Sequence, residues 1–316
     1  MPDQDPTDLL HRFSFVDLPI RGQWVRLSGA LDGAFGAHDY PAPVRELLAQ
    51  MFAAVAMFAD NLKFQGTVAL QSQGQGALRR SLAECREHEY LRGIAHVDAE
   101  RVDAQPQLNE LADLTAWLDG GQLALTLIPP RDSTPQQTSY QGLIDLEHPT
   151  LAACLERYFE TSEQLPTRLF FATRFADGGV TGTGLLLQRL PNEDGATEIA
   201  SQAYDEAWHT IETLVATLTD EELASLDPEP LLRRLFAEYP CRLYPAKPLS
   251  FKCTCTRAKT DQTLRILPEQ EIQELLEERG SIDVNCEFCG TNYRYDEVDV
   301  TALLKSGGSE PEATIH

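Results

Sequence analysis

Two close pairs of cysteines stand 30 residues apart in the last quarter of the chain: Cys253-Thr254-Cys255, then Cys286-Glu287-Phe288-Cys289. No other feature restricts the fold as strongly. Four thiols grouped this way form the donor set of a tetrahedral zinc site, in which two short loops each present two sulfurs. The intervening segment must fold back on itself to bring the loops together, and it reads as helical. Pro268 opens the helix, Ile272, Leu275 and Leu276 share one face, and Gly280 ends it. Gly290 follows the second pair, where a residue without Cβ suits a tight turn around a metal-bound thiolate. The expectation is one Zn²⁺ per chain, held by Cys253, Cys255, Cys286 and Cys289.

The same spacing admits a second state. Cys-x-Cys is tighter than the usual Cys-x₂-Cys knuckle, and Cys-x-x-Cys is the spacing of thiol–disulfide chemistry. Each pair is therefore able to close on itself, as Cys253–Cys255 and Cys286–Cys289. Spacing alone leaves three readings open: a constitutive zinc-ribbon adaptor, a thiol–disulfide oxidoreductase using Cys286 and Cys289, and a switch between metal-bound dithiolates and local disulfides. The oxidoreductase requires a βαβ context, whereas a helix followed by a knuckle is what the pattern gives.

Charge narrows the partners. Lys and Arg total 26 against 49 Asp and Glu, a formal charge of −23. Binding to phosphate backbones or anionic membranes needs a basic face, and residues 251–304 hold six basic and 11 acidic side chains. Neither nucleic acid nor a membrane is an expected partner. The N-terminus is acidic and lacks the pattern of a signal peptide, and the longest apolar run, Met51 to Ala59, is too short to span a bilayer. Seven cysteines, an odd number, do not suggest a secreted disulfide scaffold. A reducing cytoplasm is the expected location.

The expected fold class is α+β, in four segments. Residues 11–191 form a mixed domain of strands and helices. Phe13 with Phe15, and Val25 with Leu27, alternate as half-buried strands. Pro41 opens a helix through Val44, Leu47, Leu48, Met51, Val55 and Phe58 that is apolar around much of its circumference, so it belongs inside the domain. Thr67–Gln73 and Leu78–Ala83 read as a hairpin about Gly74-Gln75-Gly76. Leu108, Leu111, Leu114 and Leu118 suggest one helix stopped by Gly120-Gly121. Strands are expected near 123–127, 140–146, 168–173 and 185–190, with a helix after Pro149.

Residues 192–240 form an acidic helical linker with 12 acidic and two basic residues. Ala203, Ala207, Trp208, Ile211, Leu214, Val215 and Leu218 make its apolar stripe. Thr219-Asp220-Glu221-Glu222 is a capping-box signature, and Asp227-Pro228 starts a further helix. A thin stripe and a surplus of like charge make this segment dependent on docking, and added salt is expected to favour the docked state. Residues 241–304 form the small zinc-binding unit, and 305–316 a disordered tail.

Other motifs carry little. Gly74-Gln75-Gly76 has no continuation into a phosphate loop, the seven histidines show no paired metal spacing, and no GxSxG elbow is present. Cys85, Cys154 and Cys241 read as small buried apolar residues.

Residues 251–257 (FKCTCTR) and 286–295 (CEFCGTNYRY) resemble the signature of the heat shock protein 33 family, bacterial redox-regulated holdase chaperones. Residues 21–27 (RGQWVRL), 38–41 (HDYP), 62–66 (LKFQG), 140–142 (YQG) and 162–167 (SEQLPT) are similar too, so the likeness runs from Phe13 to Leu304. Thr256 and Tyr295 depart from the expected Ser and Phe, and residues 177–182 are irregular; no proposed ligand is affected. The resemblance implies a non-enzymatic, ATP-independent holdase that is zinc-bound and inactive when reduced. Oxidation would release zinc, form the local disulfides and activate binding of unfolding client proteins. It also implies a homodimer of the oxidised form.

Overall fold

A computed structural model describes residues 7–61, 66–110, 113–130, 138–176, 179–191 and 198–306. The chain divides into two compact units, Met1–Lys252 and Cys253–His316.

The first unit opens with β1 (Leu9–Phe15), β2 (Ile20–Leu27), α1 (Gly29–Phe35) and α2 (Ala42–Asn61). It continues with β3 (Thr67–Gln73), β4 (Leu78–Arg86), β5 (Tyr90–Val97), α3 (Ala99–Ala104), α4 (Leu114–Leu118), β6 (Gln122–Ile128) and β7 (Tyr140–Ile144). Then come α5 (Leu151–Thr161), β8 (Thr167–Ala176), β9 (Gly179–Arg189), α6 (Glu198–Val215), α7 (Asp220–Ser225) and α8 (Pro228–Leu235). Three short strands close it: β10 (Cys241–Leu243), β11 (Lys247–Pro248) and β12 (Ser250–Phe251).

The strands form two sheets, one in the order β10-β1-β2-β9-β8 with β11 also on β1, the other β12-β5-β4-β3-β6-β7. Helix α2 lies between them. By length and composition it is able to cross a bilayer, but most of it is buried in the protein. Its side chains join Val25, Leu27 and Leu186 of the first sheet to Val68, Leu70 and Cys85 of the second in one core. This is the packing that a helix apolar all round requires.

The other face of the first sheet is covered by the acidic helices. Trp24, Leu185 and Leu187 alternate with the core-facing residues and meet Tyr204, Trp208, Ile211 and Val215 of α6 and Leu231 and Leu235 of α8. Strand β9 is thus buried on both faces, which explains the unbroken run Leu185-Leu186-Leu187. The expected α6 stripe is rotated: Tyr204 enters the core and Ala203 is exposed. Thr219 forms the capping box with Glu222, and Pro228 occupies the first turn of α8 after Asp227.

Charge reinforces this docking. Arg26 of β2 pairs with Asp227 at 2.8 Å and donates to the Leu226 carbonyl at 2.7 Å. Arg168 of β8 lies 2.5 Å from Glu212, as an ion pair rather than an aligned hydrogen bond. Arg189 of β9 pairs with Asp205 and lies over the Tyr204 ring. Linker acids that look self-repelling in sequence are partly matched by sheet arginines, which sets screening of attraction against screening of repulsion.

Three readings need correction. The helix through Leu108–Leu118 is a 3₁₀ turn at Pro106–Glu110 and the short α4, whose start is fixed by the Asp113 cap; Leu111 lies outside the described residues. The cysteine-bearing unit begins at Cys253, not 241, because β10 and β11 pair with β1 and β12 pairs with β5. Lys305 and Ser306, placed in the tail, end a helix of the second unit; the rest of the expected tail lies outside the described residues.

Candidate metal centre

The second unit contains α9 (Arg257–Leu264), α10 (Glu269–Arg279), β13 (Ile282–Asn285), β14 (Asn292–Tyr295) and α11 (Glu297–Ser306). Its core is small: Leu264, Ile272, Ile282, Tyr295, Val300 and Leu303 are buried together. Helix α10 runs as the sequence indicates, with Ile272 inward and Gly280 at φ 72° as the left-handed cap.

The two cysteine pairs sit in short segments outside the helices and strands. Cys253 and Cys255 precede Thr256, whose hydroxyl caps α9 by accepting from the Lys259 amide. The Cys255 amide points at the Cys253 sulfur, 3.5 Å away. Cys286 and Cys289 occupy the tip between β13 and β14, whose register pairs Asn285 with Asn292. Inside that tip the Cys286 amide donates to the Thr291 carbonyl at 2.9 Å, and the Gly290 amide to the Cys286 carbonyl at 2.8 Å. Gly290 is at φ 68°, so this turn does need the residue that tolerates it.

The four sulfurs come together, all within 4.8 Å of one another. Cys253 Sγ is 3.6 Å from Cys286 Sγ, and Cys255 Sγ is 3.5 Å from Cys289 Sγ. A disulfide would hold two sulfurs about 2.05 Å apart. A tetrahedron with Zn–S bonds of ~2.3 Å separates its sulfurs by about 3.8 Å. The spacing and the all-thiol donor set therefore fit a four-coordinate soft or borderline cation such as zinc.

The environments of the sulfurs differ. Burial pushes the Cys253 thiol up to about 12, and raises Cys286 as well. At Cys289 burial acts in the same direction but is outweighed by hydrogen bonds from Thr291 and from the neighbouring thiols, which hold it down at about 7. Tyr293 Oη donates to Cys255 Sγ at 3.2 Å, and Thr291 Oγ1 lies 3.2 Å from Cys289 Sγ. Neither hydroxyl is evident from cysteine spacing, since both depend on the β13–β14 register.

The other three cysteines stand apart from this cluster. Cys85 and Cys154 are buried, Cys241 is partly so, and burial raises all three thiols, Cys85 and Cys241 to about 12. Burial thus favours the neutral thiol at all three; Cys85 and Cys154 are buried as the sequence indicates, and Cys241 only in part.

The family model described as Hsp33 protein matches residues 8–296. A 33 kDa chaperonin of Ectopseudomonas mendocina is 39% identical over 311 residues, covering 98% of this chain and 99% of that protein. One from Escherichia coli K12 is 35% identical over 309 residues, with the same coverage. The crystal structure of a 33 kDa chaperonin from Thermotoga maritima aligns with a TM-score of 0.75, over 95% of this chain and 99% of that one. At 22% identity that likeness shows a shared fold.

Proposed function

The chain belongs to the Hsp33 family, and from that premise we propose that it is a redox-switched, ATP-independent holdase chaperone of a reducing cytoplasm. The observation that carries the reading is the four-sulfur cluster, in a unit with a very small apolar core. In the reduced state Cys253, Cys255, Cys286 and Cys289 hold one Zn²⁺ per chain. Bound zinc supplies roughly 10–16 kcal/mol of folding free energy in sites of this kind, to a unit of a size that is marginal alone.

Oxidation removes the donor set. A thiolate sulfur attacks a peroxide oxygen, the O–O bond breaks, hydroxide leaves and takes up a proton, and the sulfur becomes a sulfenic acid. A second thiol displaces hydroxide from it to form the disulfide, so one peroxide takes two electrons and leaves as two waters. The proposed products are Cys253–Cys255 and Cys286–Cys289, each closing a loop of one or two residues. Bridges between the motifs would instead keep the unit closed. With the second unit unfolded, helices α6–α8 detach, and the apolar surfaces of Trp208, Ile211 and Trp24 become available to unfolding clients. The oxidised form is proposed to be a homodimer.

The test is a single titration of reduced full-length protein with peroxide. Zinc release, disulfide mapping and suppression of light scattering by a thermally unfolding client should rise together. Absence of zinc from the reduced protein contradicts the reading. So does client protection equal before and after oxidation, which is the signature of a constitutive adaptor, or bridging between the motifs as the main product.

A further inference from the structure

The hydroxyl donors are distributed unevenly over the sulfur cluster. Strand β14 pairs with β13 so that Val284 faces Tyr293 and Ile282 faces Tyr295. The two tyrosines fall on the same face of the hairpin, with Asn292 and Arg294 exposed on the other. Tyr295 anchors that face: it is 1% exposed and its hydroxyl donates to Asp261 at 2.7 Å. Tyr293 packs against the same core and delivers its hydroxyl to Cys255 Sγ at 3.2 Å. Thr291, before the strand, brings its hydroxyl to Cys289 Sγ, also at 3.2 Å. The two sulfurs so served are neighbours at 3.5 Å. Cys253 and Cys286, 3.6 Å apart, receive contacts from backbone amides, with no side-chain hydroxyl among the described residues.

A sulfur lone pair engaged by an O–H donor is less available to an electrophile, and an outer-shell donor of this kind also steadies a metal-bound thiolate. We propose that Tyr293 is a positioning residue that shields Cys255 from oxidation, so that peroxide reaches the cluster through the sulfurs lacking a hydroxyl donor. This rests on the zinc-switch reading above and adds to it a residue that sets the oxidation threshold. The reaction being slowed is the first one: sulfur attacks the peroxide oxygen, loses two electrons to become the sulfenate, and the departing hydroxide takes up a proton.

Tyr293→Phe removes the hydroxyl and leaves the ring in the core. Reduced, zinc-loaded full-length protein is exposed to substoichiometric hydrogen peroxide with a carbon nucleophile that traps sulfenates, and the label at each cysteine is measured by peptide mapping. The ratio of label at Cys255 to label at Cys253 should rise about fivefold in the variant, the kinetic equivalent of one lost hydrogen bond. Thr291→Val should instead raise the share of Cys289. With cobalt substituted for zinc, the thiolate-to-metal charge-transfer band of Tyr293→Phe should move to lower energy. An unchanged ratio overturns the proposal, and so does a uniform rise at all four cysteines, which a merely loosened unit would give. Wild-type protein that binds no zinc when reduced overturns the underlying reading as well.

Discussion

The two units reach a folded state by unlike means. In the first, α2 is buried between two sheets, and Leu48, Met51, Phe52, Val55 and Met57 are each at most 1% exposed. In the second, six buried apolar residues share the work with four cysteines. Burial of apolar area is indifferent to oxidants, whereas four thiolates are not. If the fold of the second unit depends on its thiols, as proposed, a chemical signal would unfold one part of the chain selectively. The acidic helices stand between these extremes. They have a real apolar contact with the first sheet, but it is supplemented by partly exposed ion pairs that are easily exchanged for water.

That contrast is most easily broken by removing the metal. Strong chelation under reducing conditions should unfold the second unit outright, a loss of about 10–16 kcal/mol of linked folding energy. The melting transition of the first unit should remain, with the smaller enthalpy expected once α6–α8 detach from it. Calorimetry would reveal this as one transition lost and one kept. Cooperative loss of both would show that the units do not fold separately.

Phe52→Ala attacks the other side. The ring is fully buried, so truncation should cost about 3–5 kcal/mol of stability in the first unit. Zinc stoichiometry, measured by elemental analysis, should stay at the wild-type value.

Arg26→Ala addresses the intermediate region. Losing a charged donor to the Leu226 carbonyl and to Asp227 should weaken linker docking by about 1–3 kcal/mol, seen as faster amide exchange in α7 and α8. Moderate salt should push in the same direction by less than about 1 kcal/mol. Salt that tightened docking would show that repulsion among the linker acids outweighs their pairing with the sheet.

Acid acting through Asp60 should have a smaller effect, within the first unit. Burial alone would raise the Asp60 carboxyl, but hydrogen bonds from Lys247, Arg12 and Gln23 hold it below its ordinary value of 3.8. A folded-state value below the unfolded one contributes stability above the unfolded value, and that stability disappears as pH falls through the folded value. Wild type should therefore lose stability faster than Asp60→Asn as the pH drops below about 3.8, the ordinary Asp value. Parallel acid titrations of the two would contradict this role.

Much of this organisation is legible in the sequence where the signal is local. The all-round apolar helix, the Thr219 capping box, the Gly280 cap and the four cysteines each carry their physics within a few residues. Strand β5 was not legible, because Arg92, Gly93 and His96 break the alternation that marks a half-buried strand. Residues 241–252 read as part of the zinc unit because their partners lie more than 150 residues earlier in the sequence, on β1 and β5. The Tyr293 hydroxyl on Cys255 was equally hidden, since the β13–β14 register decides which side chains face the sulfurs.

Hydrogen exchange of reduced and peroxide-treated full-length protein tests the central claim most directly. After oxidation, amides of β13 and β14 should lose protection, and those of α6 between Trp208 and Val215 should lose it with them. Amides of α2 between Met51 and Ala59 should keep theirs. Equal protection of α6 in both redox states, while client binding switches on, would contradict the account and place the client surface elsewhere.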